Sequence, residues 1–157
     1  MEYRITRCSY ALVSSDRPEY VTKIYDKNGI FYSKKTKLSL LDEACIRMRG
    51  CDYRGQVRAF KKLFGYNKAP VILSLPHIFA IPTKSPSVHD CQWIFLQHVS
   101  NLIEQNGRLI IVFKNKQTLE LNCSPYTFFK QRSRAYELIV YLAFKMVPDP
   151  FKALKYK

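Results

Sequence analysis

Hydrophobic residues in this chain fall into short runs, each broken within a few positions by proline, glycine or asparagine. The runs "VILSL", "HIFAIP", "WIFLQHV", "RLIIVF" and "QTLEL" are rich in β-branched and aromatic side chains, which suit the half-buried pleat of a strand. "YVTKIYDKNGIFYS" sets two β-prone runs around Asn28-Gly29, residues that tolerate positive φ, so a hairpin is expected there. A mainly antiparallel sheet of short strands is the economical arrangement.

Three segments carry helical spacing instead. In the first, Ser39 is placed to cap "LLDEACIRMR", with Asp42 three residues on as in a capping box and Gly50 just past the end. In the second, "RGQVRAFKKLFG", Val57, Phe60 and Phe64 share one arc at 100° per residue. Arg54, Arg58, Lys61 and Lys62 take the opposite arc. The third, "SPYTFFKQRSRAYELIVYLAF", opens with Ser124 as cap and Pro125 at the first helical position, where a missing N–H costs little. About three helices beside a sheet define an α+β class.

Repeats, low-complexity segments and Gly/Ser linkers are absent from the sequence, and a chain of 157 residues with 47% hydrophobic composition can bury a real core. One domain over residues 1–157 is expected. There is no run of eighteen apolar residues, and Met1 is followed by "EYRITRCSY", so neither a membrane span nor a signal peptide is anticipated. The expected place is the cytoplasm. Five cysteines without CxxC spacing read as thiols, and no cofactor or metal is implied.

Charge changes the picture. Lys and Arg number 26 against 12 Asp and Glu, a formal net charge of +14. Solubility of a small protein needs a net charge of only about 2 to 8, so this excess favours a polyanionic partner, with counterion release supplying affinity. No acidic residue lies between Tyr53 and Asn67, whereas a merely solvated helix face interleaves both signs. That makes Arg54, Arg58, Lys61 and Lys62 candidate phosphate contacts. Lys130, Gln131, Arg132 and Arg134 form a second acid-poor group, in which Gln131 could bond base edges and Arg134 could enter a groove. The loop at Lys114-Asn115-Lys116 is a third.

"VHDCQW" raises a catalytic alternative, since His89, Asp90 and Cys91 supply a base, a carboxylate and a nucleophile. A reactive cysteine needs a lowered pKa and a base within hydrogen-bond reach, which adjacency on an extended strand does not provide. On the structural alternative, Cys91 and Trp93 fill core from one side of a strand, and His89 and Asp90 sit in the preceding loop. His77, His89 and His98 lack zinc-site spacing.

These segments resemble the ComK family of competence transcription factors, over about residues 38–138. The specific stretch is "KAPVILSLPHIFAIPTKSPSVHDCQWIFLQHV", in which Lys68, Pro70, His77 to Phe79, Pro82-Thr83, Cys91-x-Trp93-Ile94 and His98-Val99 keep the family's order and spacing. Arg47, Gly50, Tyr53 and Gly55 match upstream, and Phe128, Gln131, Arg134 and Leu138 match on the third helix. Where the family carries a basic pair after the second glycine, this chain has Gln56-Val57, and Ile46 takes the place of a family cysteine next to Cys45.

The resemblance implies a sequence-specific activator of DNA-uptake genes that binds paired A/T-rich boxes of duplex DNA, largely through the minor groove. It further implies a homodimer or higher homo-oligomer on DNA, located at the nucleoid, with RNA polymerase as a further partner and no membrane. Relatives carry a longer tail read by a proteolytic adaptor, a motif that the short basic tail at 148–157 does not clearly contain. The expected DNA contacts are Arg47, Arg54, Arg58, Lys61, Lys62, Lys68, Lys114, Lys116, Lys130, Gln131 and Arg134. Two other readings stand beside this one: an enzyme using Cys91 with a histidine, and a nucleic-acid-binding protein without sequence preference.

Overall fold

A computed structural model describes residues 2–145; the tail at 148–157 lies outside them. Among the described residues, nine strands and three helices give an α+β fold. The strands are β1 (Ser9–Ser14), β2 (Thr22–Asp26), β3 (Gly29–Ser33), β4 (Val71–Ser74), β5 (Ile78–Pro82), β6 (Trp93–Phe95), β7 (Val99–Gln105), β8 (Arg108–Phe113) and β9 (Thr118–Glu120). The helices are α1 (Lys37–Arg49), α2 (Tyr53–Phe64) and α3 (Pro125–Lys145).

Two antiparallel sheets form rather than one. The larger has the order β3-β2-β1-β6-β5-β4 and the smaller β7-β8-β9. The hairpin expected near Asn28-Gly29 is present, with Asp26 paired to Gly29 so that Lys27 and Asn28 make the turn. "WIFLQHV" does not run as a single strand. A 3-10 turn at Leu96–His98 ends β6 and sends the chain into the second sheet.

Alternation along the central strands explains the layering. Leu12, Val71, Leu73, Ala80, Trp93 and Phe95 face a core closed by Leu40, Leu41, Ala44 and Cys45 of α1. Ala11, Val13, Ile72, Ile81 and Ile94 face the other way, against Phe60 of α2, Phe128, Ala135 and Leu138 of α3, and the small sheet. The six-stranded sheet is thus apolar on both faces, and each fully buried Leu, Ile or Phe in it contributes about 1.5–3 kcal/mol.

Helix ends follow local chemistry. The first cap moves three residues upstream of Ser39: Thr36 accepts from the Ser39 N–H at 3.0 Å, which frees Asp42 to accept from the Tyr53 N–H at 2.8 Å. Asp52 caps α2 through the Gly55 N–H at 2.7 Å, and Ser124 caps α3 through the Thr127 N–H at 3.1 Å. Gly50 and Gly65 close α1 and α2 at φ of 69° and 73°, a left-handed geometry that favours glycine.

Candidate nucleic-acid interface

The candidate surface starts at α2. Gln56 and Phe60 turn inward, while Arg54, Arg58, Lys61 and Lys62 are all exposed. Gln56 donates to the Ile72 carbonyl at 2.7 Å and accepts from the Ile72 N–H at 2.8 Å. β4 is an edge strand, so this one side chain satisfies a backbone pair that has no neighbouring strand. The anchor fixes how α2 is rolled, and hence where its cations point.

Among the described residues those cations have no partners. The ion pairs among the described residues use Lys23, Lys35, Lys84 and Arg108, and none involves α2. Lys61 and Lys62 lie in the last turn, where the helix dipole welcomes a cation. Arg54 gains nothing of the kind. It sits in the first turn, where the dipole disfavours positive charge and the Asp52 cap is the one carboxylate at that helix end.

The segment after α2 brings a second group close. Phe64 stacks on Tyr66 and meets Tyr141 of α3 edge-on, with ring centroids 5.3 and 5.2 Å apart. The Arg134 guanidinium lies 4.7 Å from the Tyr66 ring centroid, and the Tyr66 hydroxyl donates to Glu137 at 2.9 Å. Burial, together with the Glu137 carboxylate, pushes that phenol up to about 12. Arg134 therefore pairs with neither Glu137 nor Glu120; Glu120 is taken by Arg108 at 3.3 Å. Together with exposed Lys130, Arg134 rims a shallow hollow of about 450 Å³. Arg132 stacks on Phe129 nearby, 4.7 Å from its ring centroid.

Gln131 is a correction. Its polarity points to bases, but only 1% of it is exposed, and it donates to the carbonyls of Lys68 and Pro82 at 3.1 and 3.3 Å. It cannot reach a base edge without unfolding this junction. Arg47 is exposed yet tied, with its guanidinium donating to the Ile5 carbonyl. Lys68 is half-buried, and its backbone carbonyl accepts one of the Gln131 bonds. Lys114 and Lys116 are exposed but belong to the β8–β9 loop, which docks on the β2–β3 turn rather than on α2.

"VHDCQW" resolves into architecture. Cys91 and Trp93 are both fully buried in the α1-side core, and His89 and Asp90 are exposed in a turn. Burial pushes the Cys91 thiol up, the opposite of what a nucleophile needs. Asp90 is held by Lys84 at 2.7 Å, and the His89 carbonyl accepts from Ser14 and Lys37. Among the described residues no three His, Cys, Asp or Glu side chains gather as a metal site. No helix of the described residues is long and apolar enough to cross a membrane.

Fold and surface together define a small basic α+β protein with unpaired cations on an exposed helix. The chain belongs to the ComK family: the family described as "ComK protein" matches residues 1–146, beyond the 38–138 legible from motifs. A curated relative, "Competence transcription factor" of Bacillus subtilis (strain 168), is 29% identical over 113 residues, which cover 70% of this chain and 58% of the relative. The matched stretch is thus less than two thirds of that relative's length. No solved structure matches the chain significantly.

Proposed function

We propose that this protein is a sequence-specific DNA-binding transcription activator of competence genes, recognising paired A/T-rich boxes largely through the minor groove. The observation that carries the reading is membership of the ComK family over residues 1–146, joined by likeness to a competence transcription factor. The physical support is the unpaired cationic arc of Arg54, Arg58, Lys61 and Lys62 on a helix anchored by Gln56. Narrow A/T-rich minor grooves concentrate negative potential, so a cation held rigidly at the surface senses groove width as well as charge. Arg134, fixed against Tyr66, is the side chain we assign to that role. The α2 cations and Lys130 hold phosphates, which position the protein without selecting sequence.

Paired boxes call for paired subunits. Tyr126, Phe129, Tyr136, Val140 and Phe144 are exposed along one stripe of α3, opposite the face that carries Phe128, Ala135 and Leu138. Apolar surface of this extent is what a homodimer contact uses. We assign self-association to it.

One experiment tests the reading: sedimentation of the protein with a two-box A/T fragment and with a shuffled duplex, each at low and physiological salt. The expected result is preference for the boxes, steep weakening with salt, and two or more subunits per fragment. Equal affinity for both duplexes would reduce the protein to a general nucleic-acid binder. Monomers alone on the two-box fragment would remove the assembly.

A further inference from the structure

We propose that Arg7, Lys27 and Lys114 form a second phosphate site, a cleft that takes a phosphodiester of duplex DNA apart from the α2 surface. The three residues come from distant segments: Arg7 precedes β1, Lys27 lies in the β2–β3 turn and Lys114 begins the β8–β9 loop. All three line one open cleft of about 500 Å³, with Tyr10, His98 and Asn115 completing its wall.

The cleft is stitched together by backbone contacts. The Asn115 amide donates to the carbonyls of Asp26 and Lys27 at 3.1 and 3.3 Å, pinning the loop to the turn. The Lys114 N–H donates to the His98 carbonyl at 3.0 Å, and the Lys27 N–H to the Cys8 carbonyl at 2.9 Å. The His98 ring packs on Tyr10 with centroids 4.5 Å apart, which makes the wall rigid. Three cations are held near one another by bonds that do not use their charges.

No described residue pairs with them. Among the described residues, none of the three enters an ion pair, and their side chains make no hydrogen bond. The carboxylate in this turn, Asp26, is 5% exposed and already accepts from the Tyr3 hydroxyl at 2.6 Å and the Asn28 N–H at 2.9 Å. A phosphodiester offers two anionic oxygens, which an arginine fork and two lysine ammoniums can share.

Position favours a duplex over an isolated ion. α2 packs on β4, and from β2 to β4 the sheet order runs β2-β1-β6-β5-β4. Four strand spacings at about 4.8 Å separate β2 from β4 by about 19 Å within the sheet, so the cleft and the α2 surface are distinct sites. Two phosphate sites held apart on one subunit suit a polyanion that presents many phosphates, and a single subunit can then hold a duplex at two places.

The proposal rests on the DNA-binding reading, and the test separates the two. Duplex affinity is measured against salt for the wild type, for Arg7→Gln/Lys27→Gln/Lys114→Gln, for Lys61→Ala/Lys62→Ala, and for the charge-matched control Arg4→Gln/Lys34→Gln/Arg49→Gln. Three lost phosphate contacts should lower the log-log slope by about 2.7 for the cleft variant, so a fourfold rise in salt costs it about 40-fold less affinity than the wild type. The control should change by less than about one unit of slope. A cleft variant that behaves like the control, while the Lys61/Lys62 variant weakens, overturns this proposal and leaves DNA binding standing. A wild type that binds no duplex overturns both. Inorganic phosphate titrated by calorimetry is the last arm: binding that the cleft variant loses, with an unchanged duplex slope, would assign the cleft to free phosphate instead.

Discussion

Gln56→Ala should destabilise the whole fold although it removes only one polar side chain from a short helix. Its amide satisfies both the N–H and the C=O of Ile72, at 2.8 and 2.7 Å, in a strand edge that α2 shields from water. Ile72 is fully buried, so alanine strands two backbone groups, each costing about 1–3 kcal/mol. A loss of about 4 kcal/mol, read with a urea m-value of about 2 kcal/mol/M, lowers the unfolding midpoint by about 2 M. Urea titration followed by the fluorescence of Trp93, the sole tryptophan, measures this directly. Gln56→Glu should do at least as badly, because a carboxylate can still accept from the Ile72 N–H but meets the Ile72 carbonyl with negative charge. A midpoint within about 0.3 M of wild type for Gln56→Ala would refute the edge-strand argument, since one unsatisfied group alone costs more than that.

Two further outcomes follow from buried polar groups. Gln131→Leu should lower stability, by about 1–3 kcal/mol for the stranded carbonyls, while leaving the preference for A/T boxes over shuffled duplex intact; a stable variant with lost preference would return Gln131 to base reading. His98 gives a pH dependence: burial holds its imidazole below the ordinary value of 6.5, a hydrogen bond with the Arg7 backbone works against that, Lys114 and Lys27 reinforce it, and Asp26 opposes it. The unfolded chain then takes up a proton below pH 6.5 that the folded chain resists, so stability falls as pH drops through that value and is flat above it. Urea midpoints at about pH 7.5 and 5.5 should therefore separate in the wild type and draw together in His98→Phe; an equal gap in both would exclude His98 as the cause.

Periodicity showed the helices and most strands, and it erred where burial is two-sided or polar. β1 escaped it because "SYALVS" is buried on both faces, so its apolar positions do not alternate, and its flanking serines look like a turn. β7 escaped it for the opposite reason: it is largely exposed and reads as polar loop. Ser39 and Thr36 are both residue types that cap, and only the path of the preceding chain decides for Thr36. Polarity alone points Gln131 outward. It stands at i+3 from Phe128, i−4 from Ala135 and i−7 from Leu138, all core positions, and that spacing was the available signal. Of the cleft's cations only Lys114 was legible in sequence, because Arg7 and Lys27 join it only through the docking of the β8–β9 loop on the β2–β3 turn and the segment before β1.

The aromatic stripe of α3 sits on a molecule carrying +14, and the combination governs when copies can meet. Charges on separate copies repel across about 8 Å at physiological ionic strength, a range that any stripe-to-stripe contact must enter. With the stripe as the self-association surface proposed above, added salt would relax that repulsion but also strip phosphate contacts, so self-association in free solution and binding to DNA would respond to salt in opposite directions. A duplex that cancels charge on two neighbours at once lifts the barrier only where both are bound. On the self-association proposed above, assembly then answers to the polyanion as well as to protein concentration.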